Sequence, residues 1–197
     1  MAAVFKRLIQ QLEIELDTNV IDEFRDHLGG SLKRQENSLA AEYNSLTEDS
    51  FENPIDEEEY KRHLEDQASF LDEIGKLGNE LCIIALYRQV ELQIKRIAKR
   101  NFSGAATNKL SSIISLREFL PFDLDALPSF VAFDELRLIN NAIKHEGRVT
   151  AELSRKFPGW AANQKFSELD NSYDRLLPLI KQFIREFASA SHEHSST

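Results

Sequence analysis

Residues 166–187 read FSELDNSYDRLLPLIKQFIREF, and the spacing of their apolar members decides the fold class. Phe166, Leu169, Tyr173, Leu176, Leu177, Ile180, Phe183, Ile184 and Phe187 recur every three or four residues, a period that puts them on one face of a helix. Pro178 lies inside this pattern and predicts a kink, because its ring removes one backbone donor and crowds the preceding turn. A helix with so wide an apolar face must pack on others.

Working outward, the preceding segments supply those partners. Phe130 to about His145 reads as a helix with Leu136, Ile139 and Ile143 on its buried side. The stretch GRVTAELSRKFPGW, 147–160, reads as a short basic linker between the two. Thr107 to Phe119 predicts a shorter helix carrying Leu110, Ile113 and Ile114, and PFDLDALP turns the chain after it. From Ile55 a stripe runs through Leu64, Ala68, Leu71 and Ile74, then Ile83, Tyr87, Val90, Ile94 and Ile97. Gly75 and Gly78 predict an interruption or kink in that helix, and Lys95, Arg96, Lys99 and Arg100 suit its C-terminal dipole.

Phe5, Leu8, Ile9, Leu12 and Leu16, continued by Val20, Ile21, Phe24 and Leu28, predict a first helix ending at Gly29-Gly30. Ser31 to Pro54 is polar and reads as a partly helical connection, and the tail SASHEHSST reads as frayed. The expectation is an all-α, antiparallel helical bundle with an additional long N-terminal helix and an extended second helix. Its organisation would be 1–54 as N-terminal helix and connection packing on the bundle, 55–189 as the bundle, and 190–197 as a flexible tail.

Composition agrees with a folded core. Of 197 residues, 42% are hydrophobic and 29% charged, with only 7 Gly and 5 Pro. The lone Cys82 lies in the apolar run LCIIALY and reads as a core thiol, with no disulfide framework. No apolar run approaches the ~20 residues that span a bilayer, and MAAVFKRLIQQLE lacks the pattern of a signal peptide. The expected setting is cytoplasmic, with no membrane association. Between Glu48 and Glu73, eleven acidic residues face only Lys61 and Arg62, which accounts for the whole net charge of −9. This 48–73 segment is either a solvated face or a docking surface for a protein partner.

Several chemistries lack their residues. No glycine-rich phosphate loop and no G-x-S-x-G elbow occurs, and none of the five histidines has Glu three positions before it, as a di-iron bundle would need. No cofactor and no metal is expected, and His192 and His194 are assigned to the tail.

The chemistry-bearing stretch is FDELRLINNAIKHEG, 133–147. Residues four apart nearly align on a helix, so Arg137, Asn141 and His145 form a column, with Asn140, Lys144 and Arg148 beside it. Imidazole can exchange a proton near neutral pH and guanidinium can hold phosphate in two places. The column would then support attack of a ribose 2′-hydroxyl on the adjacent phosphate: His145 as general acid or base, Arg137 against the developing charge, Asn141 orienting. Asn140, Lys144 and Arg148 would bind substrate. From Arg137 to Lys165, six basic residues face Glu146 and Glu152, a modest footprint for RNA. The alternative is that His145 and Asn141 simply cap or cross-link helices.

ELRLINNAIKHEG, followed by AELSRKFP, resembles the signature helix of HEPN-domain proteins, and YRQVELQIKRI resembles the helix that packs against it. The resemblance implies a helical bundle, often dimeric, and active members are metal-independent endoribonucleases of prokaryotic toxin, anti-phage and RNA-processing systems. It implies RNA as a partner, a homodimer, and His145 with Asn141 at the site. The family's arginine, separated from the histidine by four to six intervening residues, falls on Asn140 at the shortest spacing; Arg137 has seven residues between it and His145. The other reading is a catalytically inert helical interaction module.

Overall fold

A computed structural model describes residues 13–47, 50–51 and 53–195. Phe5, Leu8, Ile9 and Leu12 of the expected first helix, and Glu48, Asp49 and Glu52 of the acidic run, lie outside them. The described regular structure is entirely helical: α1 Asn19–Ser45, α2 Pro54–Asn101, α3 Ile113–Phe119, α4 Phe130–His145, α5 Ala151–Lys156 and α6 Leu169–His194, with 3-10 turns at Thr107–Leu110 and Leu124–Ala126. The fold is an all-α helical bundle, as the apolar spacing predicts. Among the described residues, no helix is long and apolar enough to cross a membrane.

The chain divides into two compact units, one of residues 19–82 and one of 13–18 with 83–195. In the first, α1 does not end at Gly29-Gly30 but runs on through the polar stretch to Ser45. Two glycines cost a helix only about 2 kcal/mol together, and the flanking Leu28, Leu32, Lys33, Arg34, Gln35 and Glu36 are good helix formers. Asn53 starts α2: its Oδ1 accepts from the backbone N–H groups of Ile55 and Asp56 at 2.9 and 3.0 Å, and Pro54 takes the first helical position. Gly75 and Gly78 do not interrupt α2. They serve contact instead, since a Cβ on Gly78 would overlap the Leu28 side chain and one on Gly75 would meet Leu32 Cδ1 at 3.4 Å. The unit's buried apolar side chains are Ile21, Leu64, Leu71 and Cys82. Burial raises the Cys82 thiol above its ordinary pKa, against a smaller opposing pull from Arg25.

In the second unit α4 packs on α5 and α6. Phe133 stacks on Phe183 with centroids 4.6 Å apart and planes 3° from parallel, and Tyr87 of α2 stacks on Phe133 from farther off, at 6.3 Å. Tyr173, Leu176, Ile180, Phe183, Ile184 and Phe187 of α6 are at most 1% exposed. Pro178 sits inside α6 without ending it. Neither does the helix stop at Ser189, because it continues to His194, with Ser191 buried and His192 bonded to Glu13 at 2.5 Å. The expected linker also contains a helix, α5, whose start is capped by Thr150 Oγ1 accepting from Leu153 N–H at 3.2 Å. The expected helix over 107–119 is broken at Ser112, which caps α3 through Ser115 N–H.

Candidate functional site

Both ends of α4 are fixed by specific contacts. At its start, Ser129 donates backbone N–H and Oγ to the two oxygens of Glu186, at 2.8 and 3.0 Å. At its end, the N–H groups of Glu146 and Gly147 both reach Ala142 O at 3.0 Å, and Gly147 takes φ +61°, a left-handed turn that suits a residue without Cβ. The helix therefore stops just after His145 and turns Arg148 onto the surface.

The expected column climbs out of the protein along this helix. His145, Asn141, Lys144 and Arg148 are exposed, and among the described residues His145 has no hydrogen-bond or ion-pair partner. Arg137, at the lower end, has a side chain only 13% exposed. Its Nε and Nη2 both donate to Asp134 Oδ1, at 2.9 and 2.7 Å, so the guanidinium is held one turn back instead of along the column. Asn140, expected on the substrate surface, is 2% exposed and donates to Asn141 Oδ1 at 3.2 Å. It belongs to the interior because it lies on the apolar stripe with Leu136 and Phe133. Ile143, expected in the core, is half-buried.

Two adjacent acids on α4 organise what lies beside the column. Asp134 receives Arg137 on one oxygen and Lys156 on the other, the latter at 2.9 Å. Burial pushes its carboxyl up, but the hydrogen bonds and charges of Lys156 and Arg137 outweigh that and hold it below its ordinary value. Glu135 receives Arg175 in bidentate fashion, at 2.6 and 2.9 Å, and Trp160 Nε1–H at 2.9 Å. The Glu135 hydrogen bond raises the Arg175 pKa, with burial opposing it, so the guanidinium stays charged.

Beside these acids opens a cleft of about 550 Å³, its lining including Glu135, Lys156, Trp160, Lys165, Glu168 and Arg175. Its outer wall is the loop between α5 and α6, which is pinned by Val149 N–H on Gln164 O and Asn163 N–H on Val149 O, each at 2.9 Å. Asn163 and Glu168 in that loop adopt φ +65° and +54°, backbone geometry that non-glycine residues rarely take.

Of the expected residues, then, the structure exposes His145, Asn141, Lys144 and Arg148 together at the end of α4, and withdraws Arg137 and Asn140. Sequence reasoning missed Asp134, Glu135, Trp160 and Arg175. A signal for Glu135 existed: it falls three, four and seven positions before Leu138, Ile139 and Ala142, which places a carboxylate on a core stripe, where a partner is obligatory. Among the described residues, no three His, Cys, Asp or Glu side chains cluster as a metal site requires. Comparison with protein-family models, with curated proteins and with solved structures found no match.

Proposed function

We propose that this chain is a HEPN-like cytoplasmic protein that binds RNA through the exposed end of α4. The observation that carries the reading is the grouping of Lys144, His145 and Arg148 with Asn141 at a helix end set on the surface by Gly147. These are donors and cations suited to a phosphate backbone. The resemblance of ELRLINNAIKHEG to the HEPN signature helix supports RNA as the polymer and prokaryotic defence or stress as the setting.

Cleavage is the finer part of the proposal. An exposed imidazole without a partner suits proton transfer at a 2′-hydroxyl, with Asn141 one turn away to orient it. Arg137 is committed to Asp134, so the charge-stabilising cation must come from Arg148 or from the second copy in a homodimer that joins two α4 ends. Incubation of total RNA with the protein in EDTA, beside His145→Ala and Arg148→Ala, tests both parts. Retained RNA that is lost in Arg148→Ala supports binding, and cleavage that is lost in His145→Ala supports catalysis. Cleavage that survives His145→Ala removes the catalytic part, and no retention by any version removes the whole.

One observation favours a second reading, a catalytically inert module that docks a protein partner through 48–73. Ile55 and Phe70 are 67% and 63% exposed within that acidic stretch. Failure to retain RNA would leave this reading standing.

A further inference from the structure

We propose that the cleft between α4, α6 and the α5–α6 loop holds one nucleoside monophosphate unit, its base against Trp160 and its phosphate among Lys156, Lys165 and Arg175. The inference rests on the RNA-binding reading above and deepens it, because the cleft lining includes Val149, the residue that follows Arg148 of the α4 end in the sequence. A volume of about 550 Å³ falls within the range of small-molecule sites and suits a nucleotide.

The lining has the two chemistries that such a ligand needs. Trp160 supplies a flat aromatic surface of the kind on which bases stack irrespective of sequence. Its ring is locked in place before any ligand arrives, by the Nε1–H bond to Glu135 at 2.9 Å and by an edge contact with Phe166 at 5.6 Å. A preformed wall loses little freedom on binding.

The cations differ in how far they are already committed. Arg175 donates twice to Glu135 yet remains 51% exposed, which leaves three of its five N–H groups without a hydrogen bond among the described residues. Lys156 gives one close bond to Asp134 and remains 38% exposed. Lys165 is exposed and has no ion pair among the described residues. An anion can thus be taken up without breaking the buried pairs. Glu168, in the cleft lining, holds a left-handed backbone that is costly for a residue with a Cβ.

Trp160 is the only tryptophan in the chain, so its fluorescence reports on this cleft alone. The full chain is titrated with AMP, adenosine, inorganic phosphate and a short oligoadenylate. AMP should give a saturable change, with adenosine and phosphate each weaker by about tenfold or more, since each offers half of the recognition. Tighter binding of the oligoadenylate assigns the unit to an RNA strand, and tighter binding of AMP assigns it to a free nucleotide. Lys165→Glu, at an exposed position that carries no buried contact, should weaken AMP by about tenfold. Arg175→Gln serves as the second variant if circular dichroism shows it folded. No saturable change with either AMP or the oligoadenylate, or an unchanged titration in Lys165→Glu, overturns the assignment. RNA retention that still depends on Arg148 would in that event leave the α4-end reading intact, whereas loss of both signals ends both.

Discussion

Asp134 holds Arg137 through a single oxygen, which accepts from Nη2 at 2.7 Å and from Nε at 2.9 Å, so the last arginine before His145 in the sequence is bound inside the fold. Removing it leaves a carboxylate that is 8% exposed with Lys156 as its remaining cation. Arg137→Ala should therefore cost about 1.5–3 kcal/mol of stability, the range for hydrogen bonds to a charged group, while RNA retention stays unchanged. Arg148→Ala should do the reverse. Urea unfolding and filter binding measure the two quantities, and weakened RNA retention in a fully stable Arg137→Ala protein would return that arginine to the site.

The same carboxylate makes stability depend on pH with a defined sign. Burial opposes its ionisation, but Lys156 and Arg137 overcome this and keep the folded pKa below the ordinary value. A group that binds its proton more weakly when folded stabilises the fold fully above the unfolded pKa, about 4, and that contribution is lost as pH falls through the folded value. The urea midpoint of the protein should thus drop more steeply between about pH 5 and pH 2 than that of Asp134→Asn. The variant starts lower at neutral pH because Arg137 and Lys156 lose their counter-charge. Parallel pH profiles for the two proteins would show that Asp134 carries no such linkage.

What the sequence conveyed about these elements follows from the range of the forces involved. The α4 span and the α6 stripe were readable because apolar residues at helical spacing admit few other arrangements, and Tyr173, Leu176, Ile180 and Phe183 are buried as the pattern requires. Helix α5 was not, since six residues with Leu153 as their buried member form no stripe. The far end of α6 was missed because Ser189, Ala190 and Ser191 carry no hydrophobic signal, although Ser191 is wholly buried. At the site, helical geometry correctly aligned Arg137, Asn141 and His145 but was silent on side-chain direction. Asp134 competes for Arg137 from three residues away, and the partners of the two acids, Lys156 and Arg175, come from separate helices. Tertiary contacts of that kind leave no periodic trace.

Gly75 and Gly78 lie on one helix but in different surroundings. Alanine gains about 1 kcal/mol over glycine in a helix interior. At Gly75 the new methyl meets Leu32 at 3.4 Å, ordinary contact, so Gly75→Ala should stabilise by up to about 1 kcal/mol. At Gly78 it overlaps Leu28, which must move, and the gain should be cancelled or reversed. Adding Leu28→Ala should relieve the overlap, so that Gly78→Ala becomes stabilising in that background. A double-mutant cycle measures the coupling. If Gly78→Ala stabilises alone as much as Gly75→Ala does, Leu28 does not pack against Gly78 in solution.

The 48 residues of α2 form one uninterrupted helix, yet its two halves are stabilised to different degrees. Before Ile83 the unit of residues 19–82 buries Ile21, Leu64, Leu71 and Cys82, while Phe24, Phe70, Leu77 and Leu81 are 43% to 63% exposed. From Ile83 onward, Ile83, Leu86, Val90 and Ile97 are all 0% exposed. Backbone hydrogen bonding is the same in both halves, so any difference in local opening must come from side-chain burial. Amides between Ile83 and Ala98 should exchange with deuterium about tenfold or more slower than those between Tyr60 and Ile74, a gap of about 1.4 kcal/mol in opening free energy. Amides of α1 should follow the faster group. Uniform protection along the whole of α2 would mean that the exposed apolar side chains of residues 19–82 are covered in solution, which is the outcome expected if a partner docks there.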